Sequence, residues 1–532
     1  MTRVQLMRFA TVALGVSWLS STQASRSIEP EKFVEDLPIP HRIVVGTNDS
    51  HEITLTLTKQ TVQLHRDVPS VGAFTYDGTV PGPTIEVERG ETLTVHWKNE
   101  LPAMHVLPRP VGADEIEPDV RAITHLHGAV VEMPDPMSKP LNSDGWPDAF
   151  TVSGEEQIAV YPNNQAARTL WYHDHAMGTT GRNVAAGLVG LYFIHDDYER
   201  SLNLPSGAFD IPLFLQARQL EVDGSMPYTD DISNEFSGNV VAVNGKLWPK
   251  LRVEPRKYRF RIVNGSNARS YGLKLVDTVN NSSGPAFYQV GTDAGFLEHA
   301  VVINDPANPR SKRLVLAPAE RADIVVDFSA YAGRSFLLHN NHRDIGEIEA
   351  PIPEVLRIDI AAVVSAPDTS ALPRALAPIE HLRVADAVET RKIVFDQMDM
   401  GGGRLMLVLN NKHWHDPVEE KPVLGTTEVW ELVNTLNDTH PFHIHLVDFQ
   451  VLDRRVFDVE EYRRTGRLVY LAEPEPPLPN EAGWKDTIQV YPQMVTRIIM
   501  RFGPYPGFYV YHCHILEHED MDMMRPYQIQ LP

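Results

Sequence analysis

A strand pattern that recurs three times at nearly equal spacing is the feature that most restricts the fold of this 532-residue sequence. Each copy alternates apolar and polar residues, as half-buried strands do, and leads into an asparagine. The segments are Thr92–Trp97, Lys257–Val263 and Glu428–Val433, and the asparagines are Asn99, Asn264 and Asn434. The asparagines are 165 and then 170 residues apart, which is the length of a domain rather than of a short repeat.

A similar turn-containing segment precedes each of these strands. The three segments are Tyr76–Pro83, Val243–Pro249 and Leu409–His415. Because few stretches show helical periodicity, the sequence predicts an all-β protein of three homologous domains. We place them at residues 31–198, 205–365 and 390–532, with a linker rich in Ala and Pro at 366–389. The Pro-rich segment Glu473–Pro479 is typical of a stiff surface loop, and such a loop could also border a substrate pocket.

Residues 1–24 have the pattern of a secretory signal. Arg3 and Arg8 precede an apolar run, Phe9–Leu19, and the small-x-small sequence Thr22–Ala24 follows it. A membrane anchor needs about 20 apolar residues, and this run is too short. No later stretch is apolar enough to span a bilayer. We therefore expect an exported protein, periplasmic or secreted, that does not enter a membrane.

The charge and the cysteine count exclude other classes. A formal charge of −22 and a pI near 5.4 argue against nucleic acid or an anionic membrane surface as a partner. We expect a monomer that binds neither. The single cysteine, Cys513, has no partner for a disulfide within the chain, so stability must come from packing and from metal binding.

The stretch Tyr511–Met524 holds three histidines, three methionines and the only cysteine in fourteen positions. A thiolate with imidazoles and a long axial thioether suits a trigonal copper site that transfers single electrons. In this stretch Cys513, His518 and Met523 would be ligands. Neighbours on a strand point to opposite faces, so His512 and His514 face away from this copper. Their Cα atoms would lie about 6.5–7 Å apart, which suits two further coppers.

Histidines also occur in pairs with one residue between them. Composition alone predicts about 0.9 such pairs, and the sequence has five. They are His125/His127, His173/His175, His413/His415, His443/His445 and His512/His514. The pair His413/His415 lies in the segment before the third repeated strand, so we interpret it as architectural. The other four fall only in the first and third domains, which predicts a multinuclear cluster between these domains and a spacer role for the second.

His440 lies three residues before His443, and Pro441 separates it from the regular strand. It can therefore face the opposite way and join Cys513.

Together these residues resemble the four copper-binding motifs of the multicopper oxidases. The motifs are His125–Gly128, Trp171–His175, His440–His445 and Tyr511–Met524. The sequence looks most similar to bacterial spore-coat laccase and the bilirubin oxidases through Tyr172–Met177, Val253–Arg261 and His514–Asp520. The resemblance implies three cupredoxin-like domains, which are Greek-key β-barrels or sandwiches, and four copper ions.

The resemblance also implies a ligand for each position. A type 1 copper would be bound by His440, Cys513 and His518 with Met523 axial, and Met521 and Met524 are the rivals of Met523. The type 2 copper would take His125 and His443. One type 3 copper would take His127, His173 and His512, and the other would take His175, His445 and His514.

Two carboxylates have implied catalytic roles. Glu519 matches an acid to which the family assigns proton delivery to dioxygen, and the alternative is a solvated acid in a turn. Asp144 resembles a second family acid, but the segment Val131–Asn142 before it is longer than expected.

The implied reaction couples one-electron oxidation of phenols or other aromatic donors to four-electron reduction of dioxygen to water. A periplasmic cuprous-ion oxidase is the second hypothesis. Such enzymes carry a long methionine-rich insert, whereas Met398, Met400 and Met406 are scattered here. A non-catalytic cupredoxin-fold structural protein is the third hypothesis, and the full ligand set argues against it.

Overall fold

The computed structural model describes residues 28–46, 51–113, 115, 118–229, 231–304, 312–342, 352–401 and 405–532. The expected signal segment 1–24 lies outside these residues. Within the described part of the chain, no helix is long and apolar enough to cross a membrane.

The first part of the chain forms two facing sheets, ordered β1-β4-β9-β8-β6 and β3-β2-β5-β7. The strands are β1 Arg42–Val44, β2 Glu52–Val62, β3 Val71–Tyr76, β4 Thr84–Glu88, β5 Leu93–Asn99, β6 Thr124–His127, β7 Glu156–Tyr161, β8 Arg168–Asp174 and β9 Val189–His195. The helices are α1 Thr180–Ala186 and α2 Asp197–Ser201, with a 3₁₀ turn at Pro147–Ala149. One apolar core, which includes Leu55, Trp97 and Tyr172, lies between the sheets.

The second part repeats this arrangement with sheets β12-β11-β10-β14-β19-β16-β17 and β13-β21-β20-β15-β18. The strands are β10 Asp210–Arg218, β11 Val240–Val243, β12 Lys246–Leu247, β13 Lys250–Val253, β14 Lys257–Asn264, β15 Tyr271–Asp277, β16 Phe287–Thr292, β17 Gly295–Ile303, β18 Leu314–Leu316, β19 Arg321–Asp327, β20 Ser335–Asn340 and β21 Glu354–Ile360. A 3₁₀ turn at Gly207–Phe209 precedes them.

The third part has sheets β23-β22-β24-β28-β26 and β27-β25-β29-β30. The strands are β22 Ala387–Asp399, β23 Leu405–Leu409, β24 Thr427–Asn434, β25 His440–Ile444, β26 Phe449–Val456, β27 Thr487–Val490, β28 Met494–Arg501, β29 Gly507–Cys513 and β30 Met524–Ile529. The helices are α3 Val459–Thr465 and α4 Leu516–Asp520, with 3₁₀ turns at Val384–Asp386 and Pro479–Glu481. The predicted all-β class and the three sandwiches are therefore confirmed, although the domain boundaries themselves stay predictions.

The repeated asparagine has the same structural role in all three units. Its side-chain oxygen accepts the N–H group two residues later, at 3.0 Å for Asn99, 3.1 Å for Asn264 and 2.9 Å for Asn434. Each asparagine is buried, and its amide group donates to main-chain carbonyls across the sandwich. In each unit the strand also pairs in parallel with the first strand of its sheet and antiparallel with a later one. The recurrence therefore reflects three copies of one topology.

The short helix α4 joins the third unit to the first. It directly follows β29 and packs against α1. The Asp520 carboxylate accepts the main-chain N–H groups of Thr180 and Gly181 at 2.9 and 2.8 Å. The end of the cysteine-containing stretch is thus anchored on the domain that carries His125 and His173.

Candidate metal centre

Three side chains from the third domain converge on one buried point. The Cys513 Sγ lies 3.5 Å from His440 Nδ1 and 3.8 Å from His518 Nδ1. His440 begins β25 and Cys513 ends the neighbouring β29, so the sheet brings them together. Met523 is fully buried, and its main chain bonds to both Cys513 and His518, which folds α4 back over the thiol. The structure thus brings together the four residues expected to bind a type 1 copper.

The surroundings of Cys513 favour its thiolate form, which is the form that binds metal. Burial alone raises the pKa of the thiol. The His440 and His518 imidazoles outweigh that effect and lower the pKa from 9.0 to about 7. The main-chain N–H group of Ile515 also lies 3.4 Å from the sulfur. These residues therefore fit a soft metal such as copper.

The outer ring nitrogens of both histidines meet carboxylates near the surface. His440 Nε2 lies 3.3 Å from Asp438, and His518 Nε2 lies 3.1 Å from Glu235 Oε1. Side chains of the two acids are 39% and 30% exposed. Such contacts fix the ring and direct Nδ1 toward a metal. Glu235 comes from the loop between β10 and β11, so the second domain reaches this site.

The four histidine pairs outside the repeat segment converge in a second pocket. All eight rings are at most 1% exposed. They are His125, His127, His173, His175, His443, His445, His512 and His514. β6 and β8 of the first domain pair with His125 opposite His173, and β25 and β29 of the third pair with His443 opposite His512. The predicted cluster between these domains is thus present as a set of convergent imidazoles.

The structure reverses one part of the expected ligand division. The side-chain nitrogens of His512 group with those of His175 and His445, rather than with His127 and His173. The His514 ring lies 5.0 Å from the ring of His127 and 5.3 Å from that of His173, measured between centroids. The geometry thus places His512 with His175 and His445, and His514 with His127 and His173, which is the reverse of the expected assignment.

The register of β25 and β29 gives the reason for this reversal. In this antiparallel pair Phe442 lies opposite Cys513 and His443 opposite His512. Residue numbers rise along one strand as they fall along the other, so His445 lies beside Val510, whose carbonyl accepts its N–H. His512 is two positions from Val510 along β29, and His514 is four positions from it. His512 is therefore the nearer of the two to His445.

Ring nitrogens without a protein partner test whether the pocket fits metal ions. Among the described residues, seven of the eight histidines have at least one buried nitrogen that bonds to nothing. The atoms are His125 Nε2, His127 Nδ1, His173 Nε2, His175 Nδ1, His443 Nε2, His445 Nε2 and both nitrogens of His514. The Nε2 atom of the eighth, His512, faces His175 Nε2 at 3.4 Å. Buried polar atoms normally have partners, so this many unpaired ring nitrogens in one pocket fit a binding site for metal ions.

Burial keeps most of these imidazoles neutral, as metal binding requires. It lowers the pKa of His125 from 6.5 to about 3. The same effect places six further pKa values well below 6.5, namely those of His127, His173, His175, His443, His445 and His514. His512 differs: burial lowers its pKa, but the neighbouring Glu519 carboxylate outweighs that effect and raises it.

Both predicted acids lie against the histidine cluster. Asp144 Oδ2 accepts from His445 Nδ1 at 2.9 Å, and its main-chain carbonyl accepts from His125 Nδ1 at 2.6 Å. Burial raises the pKa of Asp144 from 3.8 to about 8. Glu519 is fully buried, with Oε2 3.0 Å from His512 Nδ1 and Oε1 3.6 Å from His175 Nε2. Glu519 is therefore not a solvated turn acid.

The other residues of the sequence analysis lie outside both groups. His413 Nδ1 is bonded to Asp522 at 2.5 Å, and the His415 side chain is 82% exposed, as an architectural pair would be. Leu478 of the Pro-rich segment lines a cavity of 990 Å³ between the second and third domains. None of the expected type 1 ligands lines that cavity.

Sequence reasoning missed four residues beside the candidate ligands, three in contact with a ligand and one, Arg321, in contact with Asp486. They are Glu235, Asp438, Arg321 and Asp486. Asp438 is two residues before His440, and this proximity was the only available signal. The other three stand outside the motifs and reach the site through domain packing.

Known proteins with this arrangement share both sequence and fold. Sequence profiles described as multicopper oxidase match residues 123–199 and 383–531. The laccase of Bacillus subtilis (strain 168) is 43% identical, over 94% of this chain and 99% of its own. The bilirubin oxidase of Albifimbria verrucaria is 36% identical, over 87% of this chain and 74% of its own. The solved McoA multicopper oxidase of Aquifex aeolicus is 26% identical with a TM-score of 0.75, over 93% of this chain and 99% of its own.

These similarities extend over nearly the whole chain, and the convergent thiol and imidazoles supply the donor set that copper prefers. They confirm the three cupredoxin-like domains and the likeness to laccase and bilirubin oxidase. The chain belongs to the multicopper oxidase family.

Proposed function

We propose that this enzyme oxidises phenolic or other aromatic donors one electron at a time and reduces dioxygen to two waters. The observation that carries the proposal is the position of Cys513. Its thiol completes the type 1 group, and its two chain neighbours, His512 and His514, enter opposite sides of the histidine cluster. The laccase and bilirubin oxidase names of the relatives support the class of donor.

The chain would hold one type 1, one type 2 and two type 3 coppers. Bound coppers would supply the one-electron acceptor, buried close below the surface at His518, and the dioxygen-reducing centre farther inside. For the type 3 ions we propose His127, His173 and His514 on one and His175, His445 and His512 on the other. His125 and His443 would hold the type 2 ion. The eight buried imidazoles exclude water from the centre, and Asp144 orients His445.

The donor would meet the protein at the edge of His518. The imidazole is nearly buried, whereas the adjoining Glu235 is 30% exposed. A phenol releases a proton when it loses an electron, and a carboxylate within reach of its hydroxyl group can accept that proton. Glu235 is therefore placed to favour donors that lose a proton together with an electron.

We expect oxygen uptake with phenols and bilirubin to exceed uptake with Cu(I) or Mn(II), because the acid at His518 favours proton-releasing donors. An oxygen electrode measures all four donors on copper-loaded protein, with and without added copper. Uptake with Cu(I) alone would contradict the choice of an aromatic donor.

A Glu235→Gln variant should lose about 10- to 100-fold in kcat/KM with phenols, since the amide cannot accept the proton. Ferrocyanide, which gives up an electron and no proton, should be oxidised as by the unsubstituted enzyme. Glu221→Gln, at an exposed acid of the same loop, is the matched control. An equal loss with both donors would show that Glu235 only supports His518.

Cuprous-ion oxidation is the second candidate, and one observation favours it. Met398 lies directly opposite Met406 in the β22–β23 pair, and thioethers suit Cu(I). Phe395 of the same strand packs on the His440 ring at 5.7 Å between centroids. The two thioethers form a pair rather than a methionine-rich insert, so we place this candidate second. The complete and convergent donor set argues against the third hypothesis, a non-catalytic cupredoxin-fold protein. We further propose that the protein acts as a monomer and is exported, with its signal segment removed by cleavage after Ala24.

A further inference from the structure

We propose that Arg321 of the second domain is a positioning residue for the histidine cluster and acts through Asp486. The inference rests on the proposed function only in taking that cluster to bind copper. It changes the expected role of the second domain, which separates the other two and also supplies a side chain that sets the orientation of two candidate ligands.

The guanidinium of Arg321 joins all three domains. Its Nε donates to the Thr169 carbonyl at 3.1 Å, on the strand β8 that also carries His173. Its Nη1 and Nη2 donate to the carbonyls of Ala319 and Asp293 at 3.0 and 3.1 Å. The same two nitrogens bind the Asp486 carboxylate at 2.7 and 2.5 Å. All five donors are thus used, which fixes the group more firmly than a single ion pair does.

Asp486 transmits this position to two histidines from different domains. Its Oδ1 accepts from His127 Nε2 at 3.2 Å, and its main-chain carbonyl accepts from His443 Nδ1 at 2.8 Å. The Thr487 hydroxyl, which donates to Asp486 at 2.9 Å, lies 3.2 Å from His127 Nε2. The two rings stack with centroids 3.7 Å apart. With their other nitrogens held, His127 is left with Nδ1 and His443 with Nε2 for a metal.

Gly128 shows how closely the pair approaches the ligand strand. A Cβ atom there would lie 2.6 Å from Asp486 Oδ2 and 2.8 Å from Arg321 Nη2. The residue also has φ of +85°, which glycine adopts readily. The glycine after His127 thus admits the ion pair against the ligand strand.

Asp486 as a direct metal ligand is the competing explanation, because its carboxylate lies within ligand distance of His127 and His443. Arg321 argues against it, since the guanidinium already occupies both carboxylate oxygens. The two explanations predict opposite results when Arg321 is removed. A ligand Asp486 would be released to bind metal, whereas a positioning Asp486 would lose its orientation.

The test measures copper loading of apoprotein at buffered free copper, for the type 1 site by its blue colour and for the cluster by copper content and EPR. In Arg321→Met, the free copper needed to half-fill the cluster should rise by about 10- to 100-fold, with type 1 loading unchanged. Asp486→Asn should do the same. Arg454→Met is the matched control: Arg454 makes a buried two-bond pair with Glu481 at 2.8 and 2.9 Å, and that pair touches no candidate ligand.

Unchanged or tighter cluster loading in Arg321→Met would overturn the proposal, as would equal weakening in Arg454→Met. Arg321→Met leaves the Asp486 carboxylate buried without its cation, so an Arg321→Met/Asp486→Asn double variant tests the case in which the single variant does not fold. Its cluster should stay weak, and normal loading would show that the effect came from the unpaired charge alone. A crystal structure of either variant should show the His127 ring rotated. Unsubstituted protein that bound no copper would instead refute the proposed function.

Discussion

Replacing the single cysteine should remove both the colour and the activity. In Cys513→Ser, a hydroxyl takes the place of the thiol whose pKa lies near 7, with His440 and His518 beside it. A serine hydroxyl stays protonated and offers a hard oxygen to a site built for a soft metal. Copper-loaded protein should therefore be colourless, and oxygen uptake should fall by at least about 10³-fold because the route for electrons is lost.

The cluster should survive this change, because its eight candidate ligands are all histidines and Cys513 is not one of them. Copper content should drop by one ion per chain, and the EPR signal of the non-blue copper should remain. His415→Ala is the control, since that histidine is exposed and should leave colour and uptake as they were. A blue Cys513→Ser protein, or a colourless but fully loaded parent, would refute the assignment of the type 1 site.

The two-residue period of the strands and the threefold repeat of one strand pattern made the fold and most of the site predictable. The strand period of two places the paired histidines on one face, and the asparagines at 99, 264 and 434 mark equivalent turns that the structure confirms. These signals are local in sequence. They needed no knowledge of how the domains pack.

What could not be predicted depends on register and on domain packing. Which of His512 and His514 groups with His445 depends on the register in which β25 pairs with β29, and a sequence motif does not contain that register. Arg321 and Asp486 are 165 residues apart and belong to different domains. In the sequence each is one charged residue among many, and only their burial and the two bonds between them in the folded protein make the pair recognisable. Glu235 likewise meets His518 across a domain boundary.

Glu519→Gln should slow turnover by about 10²- to 10³-fold while leaving the copper sites intact. Dioxygen reduction consumes protons, and the Glu519 carboxylate lies inside a water-excluded site against His512 and His175. Glutamine has nearly the same size and polarity but cannot carry the proton. The blue colour, the copper content and the rate at which a donor bleaches the enzyme without oxygen should therefore be unchanged. Only reoxidation by dioxygen should be slow, and its solvent isotope effect should change.

Glu517 gives a matched comparison because it is a buried acid on the same helix that does not touch the cluster. Its Oε1 accepts from Tyr228 at 2.6 Å and from Asn267 at 2.8 Å, which ties it to the second domain. Glu517→Gln should keep normal reoxidation, since proton delivery depends on contact with the cluster rather than on negative charge in α4. The role of Glu519 would be refuted if the reoxidation rate of Glu519→Gln were within a factor of two of the parent's, or if both variants were slowed equally. Asp144 would then be the remaining candidate for proton delivery. That acid also lies on the cluster, with Oδ1 unbonded and a pKa near 8 that lets it hold a proton at neutral pH.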